Sequence, residues 1–128
     1  MRSVDTNVAL RLILRDDERQ AQIVESLLGE GFTLGHTVLL ETIWVMNTWS
    51  GWQRPQIADA MHNLISLPAV QVDCADQISW ALQKYVSGAD FADMLHLALS
   101  GGADAFSTFD RKIARYADDQ VIPVETLR

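Results

Sequence analysis

The chain has 128 residues, 48% of them hydrophobic, and a formal net charge of −7 with a sequence pI of about 4.7. This length and apolar content fit one folded domain with a single core and exclude an intrinsically disordered protein. The acidic balance argues against binding nucleic acid through a broad basic surface, although bound divalent cations and a few arginines would still allow local phosphate contact. The single cysteine, Cys74, excludes an internal disulfide and a cysteine-rich zinc site, and we expect it to be an inert core residue.

The sequence offers no membrane-targeting signal. No apolar stretch reaches the roughly 18 residues that a membrane-spanning helix needs. Charges at Arg2 and Asp5 interrupt the opening residues, which therefore lack the apolar segment of a signal peptide. We expect a cytoplasmic protein without a membrane partner.

Helical and strand patterns alternate along the whole chain. Helical apolar spacing, with its caps and stops, predicts helices over 8–14, 16 to 29 or 31, 37–49, 55–66, 76–86, 90–100 and 110–116. Short apolar runs predict strands over 2–5, 32–34, 70–72, 104–107 and 121–124. We expect the first strand to be buried, Asp5 or Thr6 to cap the first helix, Gly51 to stop the helix over 37–49, and Pro123 to mark an edge strand. The alternation predicts an α/β fold, with a central, mainly parallel sheet flanked by helices, as one domain over 1–128.

Acidic residues stand at several of the predicted junctions. Asp5 ends the first strand, Glu41 lies in the helix over 37–49, Asp90 and Asp93 open the helix over 90–100, and Asp110 follows the strand over 104–107. Carboxylates in apolar surroundings are costly to bury unpaired, and several of them together need a cation. Reactive sites of parallel α/β sheets lie at the carboxyl ends of the strands, where Asp5 and Asp110 are expected, whereas the sequence alone does not place Glu41 there. Oxygen ligands suit Mg²⁺ or Mn²⁺, so the pattern points to metal-assisted phosphodiester hydrolysis.

Structural roles compete with this interpretation. Asp5 and Asp110 are also suitable helix caps, and Asp90 with Asp93 is suitable as a helix-start pair that serves capping and the helix dipole. His96 follows Asp93 by three residues, and we expect it to be a partly buried packing residue.

One basic cluster occurs in the sequence, formed by Arg111, Lys112 and Arg115. It lies next to the last acidic position, Asp110, so these side chains are candidates for phosphate contact beside the site. An ordinary solvated helix face explains the same three residues equally well.

The acidic segments, taken together, resemble the PIN-domain ribonucleases, specifically the VapC-type toxins of bacterial toxin–antitoxin pairs. The segments that carry the resemblance to the four family motifs, in order, are Val4 to Val8, Glu41, Ala92 to Leu99 and Ser107 to Asp110. The resemblance covers the whole chain with every acidic position filled. The family pattern favours Asp93 over its neighbour Asp90 as the main metal-site residue.

The resemblance implies a metal-dependent endoribonuclease. Asp5, Asp93 and Asp110 would hold one or two Mg²⁺ or Mn²⁺ ions, which lower the pKa of bound water and stabilise charge on the phosphate. Glu41 would orient that water or complete the ligands of a second ion. The residues expected to support these carboxylates are Asp90, Thr6, Asn7 and Thr108.

The resemblance also implies partners, namely a structured RNA substrate such as tRNA or rRNA, an antitoxin whose C-terminal segment blocks the site, and a second copy in a homodimer. The tryptophans could stack bases, but we expect them to build the core and a dimer or antitoxin groove; they are Trp44, Trp49, Trp52 and Trp80.

Two other classes remain as alternatives. A response-regulator-like receiver domain also carries a carboxylate cluster, but it needs a lysine after a late strand, and neither Lys84 nor Lys112 is placed so. A non-catalytic PIN-like scaffold that binds RNA or protein is the second alternative, and the four filled acidic positions argue against it.

Overall fold

A computed structural model describes residues 1–128, in which short strands alternate with helices. The strands are β1 (Arg2–Ser3), β2 (Phe32–Thr33), β3 (Val70–Gln71), β4 (Phe106–Thr108) and β5 (Val124–Thr126). The α-helices are α1 (Thr6–Leu14), α2 (Glu18–Glu30), α3 (His36–Val45), α4 (Arg54–Ser66), α5 (Ala75–Val86) and α6 (Phe91–Ala98). All strand pairs are parallel, which confirms the predicted α/β class. The chain forms two compact units, an N-terminal unit over Met1–Asp73 and a C-terminal unit over Cys74–Arg128.

The N-terminal unit is built on a parallel sheet with strand order β1-β2-β3. Gly31 joins α2 to β2 with a φ of 80°, and a Cβ at this position would lie 3.0 Å from the carbonyl oxygen of Ala69. That carbonyl accepts the Phe32 amide at 2.9 Å, so glycine permits the close approach of β2 and β3. The predicted buried first strand is wrong, because β1 is an edge strand whose two residues are exposed, and burial begins only at Val4.

The helix predicted over 37–49 changes geometry along its length. It is α-helical to the end of α3 and continues as a π turn over Met46–Ser50. The Ser50 hydroxyl donates to the Met46 carbonyl at 2.6 Å within this turn. Gly51 ends the helix with a φ of 77°, as the sequence predicts, since glycine tolerates that left-handed conformation.

The C-terminal unit combines the packed helices α5 and α6 with the parallel pair β4 and β5. The rings of Tyr85 and Phe91 meet edge to face with centroids 6.3 Å apart. The buried Trp80 donates from its Nε1 to both carboxylate oxygens of Asp118 at 3.1 Å, and Lys84 pairs with the same carboxylate at 2.8 Å. The hydrogen bond from Lys84 is the main cause that lowers the pKa of Asp118. These contacts anchor the segment that leads to β5.

Element boundaries near the C-terminus differ from those predicted. β4 and β5 begin two and three residues later than predicted and end one and two residues later, and the helix expected over 110–116 is only a 3₁₀ turn over Ile113–Arg115. Pro123 precedes β5, and its carbonyl accepts the Phe106 amide at 2.8 Å. Proline has no amide hydrogen to donate, so the ladder proper begins after it.

Two single-residue expectations are wrong in the same way. Cys74 is exposed and has a φ of 58°, because it is the residue that turns the chain into α5. His96 is exposed as well, because it projects from the solvent-facing side of α6 between the buried Leu95 and Leu97. None of the helices combines the length and the apolar character required to cross a bilayer.

Candidate active site

Asp5 and the start of α3 lie at the carboxyl ends of two paired parallel strands in the N-terminal unit. Asp5 has an extended backbone, with a φ of −98°, and its Oδ1 accepts a hydrogen bond from the Val8 amide at 3.2 Å. Asp5 is therefore the N-cap of α1, one of the two caps that the sequence predicts. The cap engages one carboxylate oxygen and leaves the second for another ligand.

Glu41 joins Asp5 on the wall of one cavity. This cavity has a volume of about 290 Å³, and its lining residues are Asp5, Thr6, Asn7, Thr37, Val38 and Glu41. The start of α3 is fixed by His36, whose Nε2 lies 2.7 Å from the carbonyl oxygen of Asp73, beyond the end of β3. The N-terminal unit thus brings together four of the predicted positions, whereas neither Thr6 nor Asn7 makes a hydrogen bond to a carboxylate.

The expected burial of the carboxylates is wrong at most positions. Asp5, Glu41 and Asp110 are exposed, and Asp93 alone is half-buried. Glu41 lies between Leu40 and Thr42 in the sequence, but consecutive residues of a helix point in different directions. Thr42 is therefore fully buried and hydrogen-bonded to the Val38 carbonyl, while Glu41 faces the open cavity.

The C-terminal unit holds the other predicted carboxylates on two elements. Asp90 caps α6, because its Oδ1 accepts the Asp93 amide at 2.9 Å, so the capping alternative is real at this position. Asp110 shapes a turn after β4: its amide donates to Thr108 Oγ1 at 3.0 Å, and its Oδ1 accepts the Lys112 amide at 2.8 Å. Thr108 thus holds the backbone of Asp110, and the backbone amide of Lys112 holds the carboxylate.

Burial and the other two carboxylates of this unit raise the pKa of Asp93. Burial raises the pKa of Asp93 most, and the negative charges of Asp90 and Asp110 raise it further, while nearby His96 acts in the opposite direction. Three like charges within electrostatic reach destabilise one another in the ionised state. A cation placed beside Asp93 would relieve both the burial cost and the repulsion.

Two basic side chains share a cavity with two of these carboxylates. The cavity has a volume of about 80 Å³, and its lining includes Asp90, Asp93, Lys112 and Arg115. Lys112 and Arg115 bound a 3₁₀ turn, in which residues three apart eclipse one another, and so both reach the same side. Arg111, the third predicted phosphate contact, does not line this cavity.

The chemistry of the donors fits a hydrated magnesium ion. The predicted ligands are all carboxylates, which are hard oxygen donors; the first cavity has two of them, and the second has Asp93 beside the supporting carboxylate of Asp90. No group of three or more His, Cys, Asp or Glu side chains is arranged to hold a metal ion. Mg²⁺ commonly binds through one or two carboxylates and keeps several waters, so a pair is a sufficient protein contribution.

Several residues that line the cavities were not predicted from the sequence. Thr37 and Val38 line the first cavity, and Tyr116 lines the second with Gly88. Gly88 has a φ of 115°, and a Cβ there would lie 3.3 Å from the Tyr116 hydroxyl. The glycine two residues before Asp90 was the available signal, because a positive φ marks a backbone position with a special demand.

Comparison with known proteins gives one match. The family model for the PIN domain matches residues 3–119, a stretch that includes every predicted acidic position. No curated protein and no solved structure matches the chain. The matched stretch covers most of the sequence, and the resemblance inferred from the motifs is confirmed at this level: the chain belongs to the PIN domain family.

Proposed function

We propose that this protein is a metal-dependent endoribonuclease. PIN domains are typically nucleases, and the family match supports a hydrolase that acts on phosphodiester bonds. The observation that carries the proposal is the cavity in which Asp90 and Asp93 face Lys112 and Arg115. The carboxylates suit a bound magnesium ion, and the neighbouring basic side chains suit the negative phosphate. The cavity therefore offers a partner to each half of a magnesium-bound phosphodiester.

Each cavity residue has a distinct proposed role. Lys112 and Arg115 hold the non-bridging oxygens of the phosphate and keep the backbone of the substrate in place. Asp93 would hold the ion together with Asp110, which does not line this cavity, and Asp90 fixes the start of α6 through its cap. A bound Mg²⁺ or Mn²⁺ supplies a more acidic water and charge stabilisation at the phosphate.

Asp5 and Glu41 provide a second proposed carboxylate pair. They line a common cavity in the N-terminal unit, and the cap at Asp5 fixes the backbone of that carboxylate. We propose that Asp5 is a metal ligand and that Glu41 orients the attacking water. Substitutions in each unit test the two proposed pairs separately.

The toxin role is proposed from the motif resemblance. On this proposal the substrate is a structured RNA such as tRNA or rRNA, the protein is a homodimer, and a cognate antitoxin blocks the site. Induced expression should arrest growth of a bacterial host, and Asp93→Asn should remove that effect. Growth arrest by both proteins would refute the link between toxicity and cleavage.

Cleavage of total RNA by the purified protein tests the nuclease proposal. We expect discrete fragments with Mg²⁺ or Mn²⁺, and none with a chelator, with Asp93→Asn or with Glu41→Gln. Asp59→Asn, an exposed carboxylate on α4, is the matched control and should cleave like the wild type. Intact RNA under all conditions, from folded protein free of a bound partner, would favour the non-catalytic scaffold instead.

A further inference from the structure

Three of the four tryptophans lie within residues 44–52 and are not part of the core. The exposed fractions of Trp44, Trp49 and Trp52 are 61%, 75% and 36%, whereas Trp80 is buried at 5%. The expected core position is therefore confirmed for Trp80 and wrong for the first three, for which the expected dimer or antitoxin groove stays a prediction. Exposed tryptophans this close together in the sequence are candidates for a binding surface.

Two of these tryptophans follow the first cavity along the same helix. Trp44 follows the cavity residue Glu41 by three positions on α3, so the two side chains are neighbours on one helix face. Residues five apart on a regular α-helix point about 140° away from each other. The π turn over Met46–Ser50 has a wider i→i+5 repeat, which reduces this angle. The exposed rings of Trp44 and Trp49 lie on consecutive turns of this helix and define the strip, and Trp44 comes one turn after Glu41.

The charge pattern around this strip differs from the rest of the protein. No Asp or Glu occurs from residue 42 through residue 58, and Arg54 is the one formally charged residue in that segment. This is the longest stretch without an acidic residue in a chain of net charge −7. A polyanion that approaches the Glu41 cavity along this segment meets no acidic side chain of the segment itself.

The composition of the strip favours nucleobases over an apolar peptide. Exposed polar side chains, Asn47 and Thr48, separate the two rings, and the strip has no exposed aliphatic residue to fill a peptide groove. An aliphatic cleft does exist elsewhere in this unit, with a volume of about 220 Å³, and its lining includes Leu12, Ile13, Leu64 and Leu67. Aromatic rings without an aliphatic surround are the usual platform for unpaired bases.

We propose that Trp44 and Trp49 form a stacking platform for two unpaired bases of the RNA, on the helix that carries Glu41 to its cavity. The inference rests on the proposed ribonuclease function and specifies its substrate as single-stranded RNA or an unpaired loop. Duplex RNA presents no free base face and does not use the platform. The rings bind bases by contact with their faces, so the platform adds affinity with little sequence preference.

Binding of short single-stranded RNA, compared with a blunt duplex of the same strand, tests the platform by fluorescence anisotropy. All binding proteins carry Asp93→Asn, so that the RNA is not cleaved and the N-terminal unit is unchanged. Trp44→Leu and Trp49→Leu keep an apolar side chain but remove the ring, and each should weaken single-strand binding about 5- to 150-fold. Trp44→Phe and Trp49→Phe should restore most of the affinity, and duplex binding should not change.

Ile23→Ala is the matched control, since Ile23 on α2 is an exposed apolar side chain at 61%, and it should bind like the parent protein. In cleavage assays without the Asp93 substitution, the leucine variants should raise KM for a single-stranded substrate and leave kcat unchanged.

Three results would overturn the inference, and they differ from one another. If the wild type cleaves RNA and the leucine variants bind it with unchanged affinity, the platform is refuted while the nuclease proposal stands. If the leucine variants change self-association by sedimentation but not RNA affinity, the strip is a protein interface. If no variant binds or cleaves any RNA, the nuclease proposal fails and the platform fails with it.

Discussion

Replacement of Asp5 separates its structural role from its proposed chemical role. Its Oδ1 caps α1 through the Val8 amide, and the second oxygen is the proposed metal ligand. Asparagine keeps a side-chain oxygen for the cap but removes the negative charge, whereas alanine removes both. We expect Asp5→Asn to fold as stably as the wild type and to lose cleavage, and Asp5→Ala to lose cleavage and stability together.

The size of the stability effect follows from the cap and the chain length. Loss of an N-cap aspartate to alanine costs about 1 kcal/mol, within a range of about 0.5–2 kcal/mol. For a chain of 128 residues, with an unfolding entropy of about 2.1 cal/mol/K per residue, 1 kcal/mol lowers Tm by about 4 °C. The cleavage rate should fall by at least about 100-fold in both variants, the lower end of what a positioned catalytic group contributes.

Thermal unfolding and initial cleavage rates on one RNA measure the two effects. Asp17 supplies a matched control, because it caps α2 through the Gln20 amide at 3.0 Å and lies in neither cavity that holds the proposed carboxylates. Asp17→Ala should lose similar stability and retain cleavage. Wild-type cleavage by folded Asp5→Asn would refute the reasoning, since a residue that acts only as a cap needs no charge.

Three further predictions concern the C-terminal unit. The raised pKa of Asp93 means that its ionisation costs more in the folded than in the unfolded state, so its contribution to stability is lost as pH rises through the folded pKa. Asp93→Asn should therefore be more stable than the wild type to urea at neutral pH and equal to it at acid pH, and a pH-independent difference would contradict this. Mg²⁺ should raise the Tm of the wild type, because a ligand at 100 times its Kd adds about 2.7 kcal/mol of stability, and the rise should be smaller in Asp93→Asn. Lys112→Ala and Arg115→Ala should each weaken RNA binding and reduce the logarithmic salt slope by about 0.7, whereas equal loss in Arg111→Ala would point to a diffuse surface charge.

The helices were the most predictable part of the fold. Pro55 at the start of α4 and Gly51 at the end of the preceding helix are local signals that act through backbone conformation alone. The last strands were less predictable, because a short apolar run such as 121–124 has no local signal that fixes its register. Their pairing is set by contact between segments distant in sequence, here the Pro123 carbonyl and the Phe106 amide.

The candidate site divides in the same way. The types, order and spacing of its acidic residues were visible in the sequence, and so was the alternative capping role of Asp5 and Asp90. Their exposure was not visible, because apolar neighbours in the chain say little about which direction a helix residue faces once the helix packs. For the same reason, the sequence did not predict that Thr37 and Tyr116 line the cavities.

The sequence by itself determined the family, the α/β class and the acidic positions that the PIN motifs require, because local patterns and motif order are properties of the chain alone. Only the tertiary structure decided which side chains face solvent. Glu41 opens onto a cavity while Thr42 is buried, and Trp44 and Trp49 are exposed while Trp80 is buried. Burial and the pairing of charges depend on which distant segments pack together, and that packing is settled by the whole fold.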